Sequence, residues 1–279
     1  MKIFLRIVGH YLRRFFSVFV IFFFAALLLG RNFFSLPPAL VFFDVGQGDS
    51  SLLRFPGGQN ILIDGGPDSS LMSSLSEELP YFRRRLDMVI VSHPHDDHVG
   101  GLFEVLRRYQ VGSLVYAANQ SAEPLLKSLI SLAVQKKIKL HPVSSAEYVK
   151  FSDDCRLLLL NPAAYGAPDD DNNSLLGKIN CFGHSILFAG DNPASAENSF
   201  LSSGLDLRAE IFKISHHGSK TSNSQEFLLA IQPKIAIISS GRDNSFGHPH
   251  SETLEKLVNL GATVKRTDQD GKIRFLFNN

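Results

Sequence analysis

The chain has 279 residues, 44% hydrophobic and 20% charged, with a formal net charge of +1, which excludes a disordered polymer and admits one large domain or two small ones. Lys2, Arg6, Arg13, Arg14 and Arg31 all precede the first acidic residue, Asp44, and without them 23 basic residues face 27 acidic ones. The body is therefore slightly acidic, which excludes coating of nucleic acid by general surface charge.

From Phe15 to Gly30 the run FFSVFVIFFFAALLLG carries no charge and is flanked by arginines. Extended by Phe33, Phe34 and Leu36, it predicts residues 1–34 as a cytoplasmic stub and one signal-anchor transmembrane helix at the cell membrane. No small-x-small cleavage site follows; a cleaved segment would make the body secreted. Four basic residues precede the run and one follows it, so the amino terminus is expected inside and the body outside the cytoplasm. SLPPAL marks a stiff linker at 35–39, and 40–279 is expected to form one domain.

The body opens with strands at LVFF, SLLRF and NILIDGG, the last two joined by a PGG turn, and DMVIVS reads as a fourth, buried strand. Leu102, Val105, Leu106 and Tyr109 then repeat at helical spacing. SLVY, AEPLLKSLISLAVQKK and KIKLHPV continue as strand, helix, strand; CRLLLLNP, SLLGKIN and HSILFAGD read as hairpin-linked strands. A helix near 194–202, strand EIFKIS, a helix opened by Ser222 with Gln225 in a capping box, strand KIAIIS, helix 252–260 and terminal strands complete the order. This α/β order suits two sheets packed face to face with helices outside. Cys155 and Cys181 read as small buried residues, with one disulfide as the alternative.

Three histidines and two aspartates occupy HPHDDH at 93–98, straight after an apolar strand. His93 and His95 can converge in an extended loop, with Asp97 following and His98 turned toward a neighbouring point. Imidazole and carboxylate suit zinc, manganese or iron, and four such ligands can seed two metal sites that polarise a substrate oxygen and activate water. Asp191 after SILFAG, His216 and His217 after EIFKIS, and His248 and His250 before a helix also sit at strand or helix ends. Asp64, after ILI, reads as an acceptor that fixes a histidine tautomer. Lys213, Lys220 and Arg242 are placed near the expected rim, where they could meet phosphate. A Ser219 nucleophile is rejected for want of a base and an orienting acid.

HPHDDH fits the HxHxDH signature of the metallo-β-lactamase superfamily. VFFDVGQGDSSLLRFPGGQNILIDGG, NNSLL, KISHHGSKTS and GHPHSETLEKL resemble, more narrowly, the hydrolase domain of ComEC-type DNA-uptake proteins over about residues 40 to 278. That resemblance implies an αββα sandwich with two divalent metals, zinc or manganese. By position, His93 and His95 would hold the first metal and Asp97 and His98 the second, with Asp191 bridging. His216 would complete the second site, or His217 instead; otherwise His217 contacts the scissile phosphate. His248 would stand at the rim, and Asp97 would orient the nucleophile. Gln47, Asp49, Asn173 and Ser174 would surround the pocket. A third histidine for the first metal is missing: His141 and His184 read as structural, and Asn172–Leu175 stands in its place.

The resulting expectation is a membrane-anchored metal-dependent phosphodiesterase or nuclease acting on DNA. Its alternatives are a non-catalytic DNA-binding or scaffold module with a degenerate centre, and a hydrolase of lactam or thioester bonds. Protein partners are not specified by the sequence.

Overall fold

The computed structural model describes residues 14–23, 36–55, 57–181 and 183–277, and the chain divides into two units, Met1–Pro37 and Pro38–Asn279. In the first, residues 14–23 are helical (α1). No helix among the described residues is long and apolar enough to cross a membrane, so the expected transmembrane helix is not seen there; 24–34, the rest of that span, lies outside the described residues.

The second unit begins with β1 (Ala39–Phe42), β2 (Ser51–Arg54), β3 (Asn60–Ile63), α2 (Leu71–Glu78), β4 (Arg85–Ile90), α3 (Asp96–Val99) and α4 (Leu102–Arg108). It continues through β5 (Gln110–Ala117), α5 (Pro124–Gln135), β6 (Lys139–Val143), β7 (Ala146–Lys150), β8 (Cys155–Leu160), β9 (Leu176–Cys181), β10 (His184–Phe188) and α6 (Ala194–Ser202). β11 (Ile211–Lys213), α7 (Gln225–Ile231), β12 (Ile235–Ile238), α8 (Ser251–Asn259), β13 (Thr263–Arg266), α9 (Thr267–Asp270) and β14 (Ile273–Leu276) close it.

Two seven-stranded mixed sheets result, ordered β14-β1-β2-β3-β4-β5-β6 and β13-β12-β11-β10-β9-β8-β7. Their facing sides share one apolar core in which Phe42 of the first sheet meets Phe188 of the second, ring centres 5.9 Å apart. The unbroken leucines of β8 follow from burial on both faces: Leu157 and Leu159 enter the inter-sheet core, while Leu158 and Leu160 pack with Phe200, Phe227 and Leu257 of α6, α7 and α8. On the other side α4 packs on α5 and α5 on β6, giving the expected αββα layering.

β3 to β6 run parallel, as do β10 to β13, so the loops that leave their carboxyl ends gather at one edge. β14 crosses back to pair with β1, and Phe277 N donates to Pro38 O at 3.1 Å. β7 and α2 were not anticipated, and α7 opens at Ser224, whose hydroxyl accepts from Phe227 N, not at Ser222. The reason is Glu197, which accepts from the backbone N–H groups of both Asn223 and Ser224 and fixes the turn two residues later. Cys155 and Cys181, opposite one another in the β8–β9 register, form a disulfide instead of two free thiols.

Candidate metal centre

β4 delivers the first cluster. Asp64, just past β3, accepts from Ser92 N at 2.8 Å and from Ser92 Oγ at 2.7 Å, which pins the end of β4 beside it. His93 is buried, His95 opens α3, and Asp97 and His98 lie within α3. Gly48 (φ +138°) lets the 44–50 loop close on this helix: a Cβ there would collide with Asp97 O, to which Asp49 N donates at 3.1 Å. β10 and β11 deliver Asp191, His216 and His217 from the other sheet. His216 (φ 50°, ψ 47°) and His217 (φ 53°, ψ 22°) are consecutive left-handed residues, a conformation that costs about 1–3 kcal/mol each and gathers at functional sites.

The Asp191 carboxylate is where the two sheets' ligands meet. His98 Nε2 lies 3.4 Å from Oδ1, and His217 Nε2, His216 Nε2 and His93 Nε2 lie 3.5, 3.8 and 4.0 Å from Oδ2. Asp97 Oδ2 is 3.1 Å from His217 Nε2 and 3.9 Å from His98 Nε2. The His95 ring centre is 4.4 Å from that of His93.

The other ring nitrogens are tied down from behind. His98 Nδ1 meets Asp64 Oδ2 at 2.9 Å, His93 Nδ1 meets Ser92 Oγ at 3.2 Å, and His217 Nδ1 donates to Ser239 O at 2.9 Å. Such anchoring fixes the tautomer and leaves Nε2 as the donor atom toward a cation. His93 Nε2, His98 Nε2 and Asp191 Oδ1 are buried with no hydrogen-bond partner. Buried polar atoms left in this state are costly in a core and are what a cation satisfies. Asp97, His98, Asp191 and His217 place one ligand atom each within 4.8 Å of one another. Imidazole nitrogens and carboxylate oxygens in this arrangement fit a divalent ion of the zinc or manganese type.

The charges are mutually dependent. Burial would depress the His98 imidazole, but the carboxylates of Asp191 and Asp64 outweigh it and hold its pKa well above the usual range. Burial likewise opposes the His217 cation, yet Asp191 and Asp49 raise its pKa to about 9. Asp191 shows the converse: burial disfavours its charge, and His217 and His98 pull it well below the usual carboxylate range. His93 is pushed down by burial and by His98, and His248 to about 4 by burial and by His217 and His216.

With its pKa near 9, His217 holds a proton at neutral pH that an incoming cation must displace. Apparent metal affinity is therefore expected to fall at least about tenfold for each pH unit below about 9, the change required when one proton leaves per ion bound. Zinc titrations against a competing chelator at pH 6, 7 and 8 measure this. An affinity constant over that range would show that the imidazoles are neutral before metal arrives.

Beyond the cluster, an open cavity of ≈ 430 Å³ is lined by His95, Asp97, Asp191, His216, His217, His248, Gln47 and Phe246. His216 stands at its wall, outside the four-residue group that His217 joins. Gln47 Oε1 accepts from Gly241 N at 3.1 Å. Ser174 is buried behind Asp191, whose N–H it accepts at 2.9 Å, and Asn173 Nδ2 donates to Pro168 O at 2.7 Å. His141 and His184 lie on β6 and β10 and pair with Glu147 and Glu210, apart from the cluster.

Lys213 is not a rim residue. It is 2% exposed, and Nζ donates to Asp49 Oδ2 at 2.6 Å; Asp49 Oδ1 in turn lies 3.3 Å from His217 Nδ1. Arg242 lies against a separate cavity with Asp44, Asn244 and Asp268, while Lys220 is exposed. Sequence reasoning missed Ser92, Ser239 and Asn192, the last accepting from Ser174 N at 2.8 Å. A serine or asparagine beside a ligand has no periodicity or spacing to mark it.

The family profile of the metallo-β-lactamase superfamily matches residues 43–242. ComE operon protein 3 of Bacillus subtilis is 30% identical over 253 residues, which cover 85% of this chain and 32% of that one. The chain thus spans about a third of the length of this relative. Among solved structures, CmlA, a diiron β-hydroxylase from Streptomyces venezuelae, superposes with a TM-score of 0.59 at 14% identity, over 87% of this chain and 55% of that one. A diphosphatase of the PhnP family superposes with a TM-score of 0.52 at 17% identity, over 86% and 98%. With HPHDDH, Asp191 and His217 brought together at one edge of its two sheets, the chain belongs to the metallo-β-lactamase superfamily, where its likeness is to the hydrolase domain of ComEC-type proteins.

Proposed function

We propose that the body is a two-metal hydrolase of phosphoester bonds with DNA as its substrate, held at the cell membrane by the apolar segment 15–34 and lying outside the cytoplasm. The observation that carries the hydrolase reading is the set of unpartnered, buried ligand atoms on His93, His98 and Asp191, converging from both sheets. His93 and His95 would hold one cation, Asp97, His98 and His217 the other, and Asp191 would serve both. This assigns the second site to His217 in place of His216. The first site has no third histidine, and Ser174 cannot easily substitute, because its Oγ already accepts from Asp191 N and donates to Asn172 O.

Bound cations supply Lewis-acid polarisation of a phosphoryl oxygen and make water acidic enough to attack at neutral pH. The protein's own groups orient the rest. Asp97, on the cavity wall, would accept a hydrogen bond from the attacking water and aim it. His216 and His248, ring centres 5.5 Å apart across the open side, meet the non-bridging oxygens and the leaving group. The likeness to ComEC-type DNA-uptake proteins favours a phosphoester over a lactam or thioester; the fold, shared by a diphosphatase and a diiron β-hydroxylase, is neutral between them. The disulfide supports the outward placement, since such bonds persist in oxidising compartments.

Purified full chain, freed of metal and reloaded with zinc or manganese, is expected to hydrolyse bis(p-nitrophenyl) phosphate and oligodeoxynucleotides. Turnover on a lactam or thioester alone, with neither phosphodiester cleaved, would overturn the phosphoester reading.

A further inference from the structure

The first sheet carries a second site at the end remote from the metal centre. Arg83, Arg84 and Arg85 lead into β4, Arg107 and Arg108 close α4, and the register Arg85↔Gln110 sets the starts of β4 and β5 side by side. With Tyr81, Tyr109 and Gln110 these five arginines line an open cavity of ≈ 560 Å³. Among the described residues two carboxylates answer them: Glu104 accepts from Arg107 and Arg108 at 2.9 and 2.7 Å, and Asp87 from Arg85 at 3.1 Å. Among the described residues Arg83 and Arg84 form no ion pair, and Arg84 Nε is buried without a hydrogen-bond partner. The Arg84 guanidinium is held by two rings, 5.0 Å from the centre of Tyr81 and 5.7 Å from that of Tyr109. Tyr81 is 81% exposed.

We propose that this cavity binds the backbone of single-stranded nucleic acid, phosphates on the arginine forks and a base stacked on Tyr81. The choice of arginine throughout favours phosphate oxygens, which its planar fork meets in pairs. A cavity this size with five guanidinium groups spread around it exceeds what one small anion needs. An exposed aromatic ring beside a positively charged groove is how strands are held without regard to sequence. Apart from the two tyrosine rings the lining is polar or charged, which gives a lipid bilayer no apolar tip to take up. β4, from Arg85 to Ile90, sets this cavity about 17 Å, at ~3.3 Å per residue, from the strand end that leads to His93. Binding here is therefore separable from hydrolysis and stands whatever bond the metal centre cleaves.

Fluorescence anisotropy of a labelled twenty-nucleotide oligo(dT) on the full chain in detergent, with chelator present, tests the proposal. The double variant Arg83→Gln, Arg84→Gln is expected to bind at least about tenfold more weakly at low salt. Its log affinity against log salt should flatten by about 1.4, the share of two phosphate contacts on a single strand. Tyr81→Ala should weaken binding about fivefold or more with the salt slope unchanged. Metal-dependent turnover of bis(p-nitrophenyl) phosphate should stay at the wild-type level in each, which also reports folding. Arg107→Gln with Arg108→Gln, both exposed, gives the same sign should the first pair not fold. Equal affinity and slope in variants and wild type overturn the proposal. So does a wild type that ignores the oligonucleotide but binds phosphatidylglycerol vesicles through these arginines.

Discussion

Asp191→Asn is expected to lower metal-dependent hydrolysis by more than ~100-fold, the upper range for groups that only support ligands, while the chain remains folded. Four imidazoles face this one carboxylate within 4.0 Å, from His98, His217, His216 and His93. Its amide analogue keeps the shape but gives up the charge and one acceptor oxygen, so a cation held among these imidazoles would lose its carboxylate ligand. The backbone at 191 is held independently of that side chain, because Ser174 Oγ accepts the N–H and Gly190 (φ +51°) makes the turn. The readouts are metal content per chain and turnover of bis(p-nitrophenyl) phosphate. His217→Ala should resemble Asp191→Asn, whereas His216→Ala, at the cavity wall, should raise KM and retain most of the metal. A variant at 191 with full metal and wild-type turnover would remove the shared-ligand assignment.

Lys213→Met should destabilise the chain by about 3–5 kcal/mol, as when one partner of a buried ion pair is removed. Its ammonium and the Asp49 carboxylate are 2% and 7% exposed, and they meet at 2.6 Å. Without the lysine, Asp49 is left as a buried anion beside His217, 3.3 Å away, and His98. Adding Asp49→Leu should restore most of the stability, since well-packed apolar residues often replace a buried pair at little cost. The restored protein should still hydrolyse more slowly, because His217 loses a carboxylate behind its Nδ1. Urea denaturation of the metal-free chain separates the two effects. A loss below about 1 kcal/mol in the single variant would mean that Asp49 is protonated, contrary to the downward pull of Lys213 and His217 that outweighs its burial.

What could be seen in the sequence follows from locality. HPHDDH, Asp191 and the His216–His217 pair each stand directly after an apolar run, so strand-end placement was readable one segment at a time. That the strands are parallel and open at one edge is a property of the whole topology, which the family likeness supplied and single segments could not. The choice between His216 and His217 was hidden because two successive left-handed residues break the alternation that a strand would impose. Lys213 was misplaced for a different reason: its partner is Asp49, 164 residues away, so nothing near it in sequence says that it faces inward. The cysteine pair likewise depends on the β8–β9 register, which the polar loop between the strands does not announce.

The body's first and last strands are antiparallel neighbours, and one backbone hydrogen bond ties Phe277 to Pro38. A folded unit whose ends meet can be spliced into a surface turn of a host polypeptide without prising that host apart. It can equally be relinked head to tail by a few residues. A circularly rejoined version, opened instead at an exposed turn such as Gly57–Gly58, should therefore still assemble its metal centre.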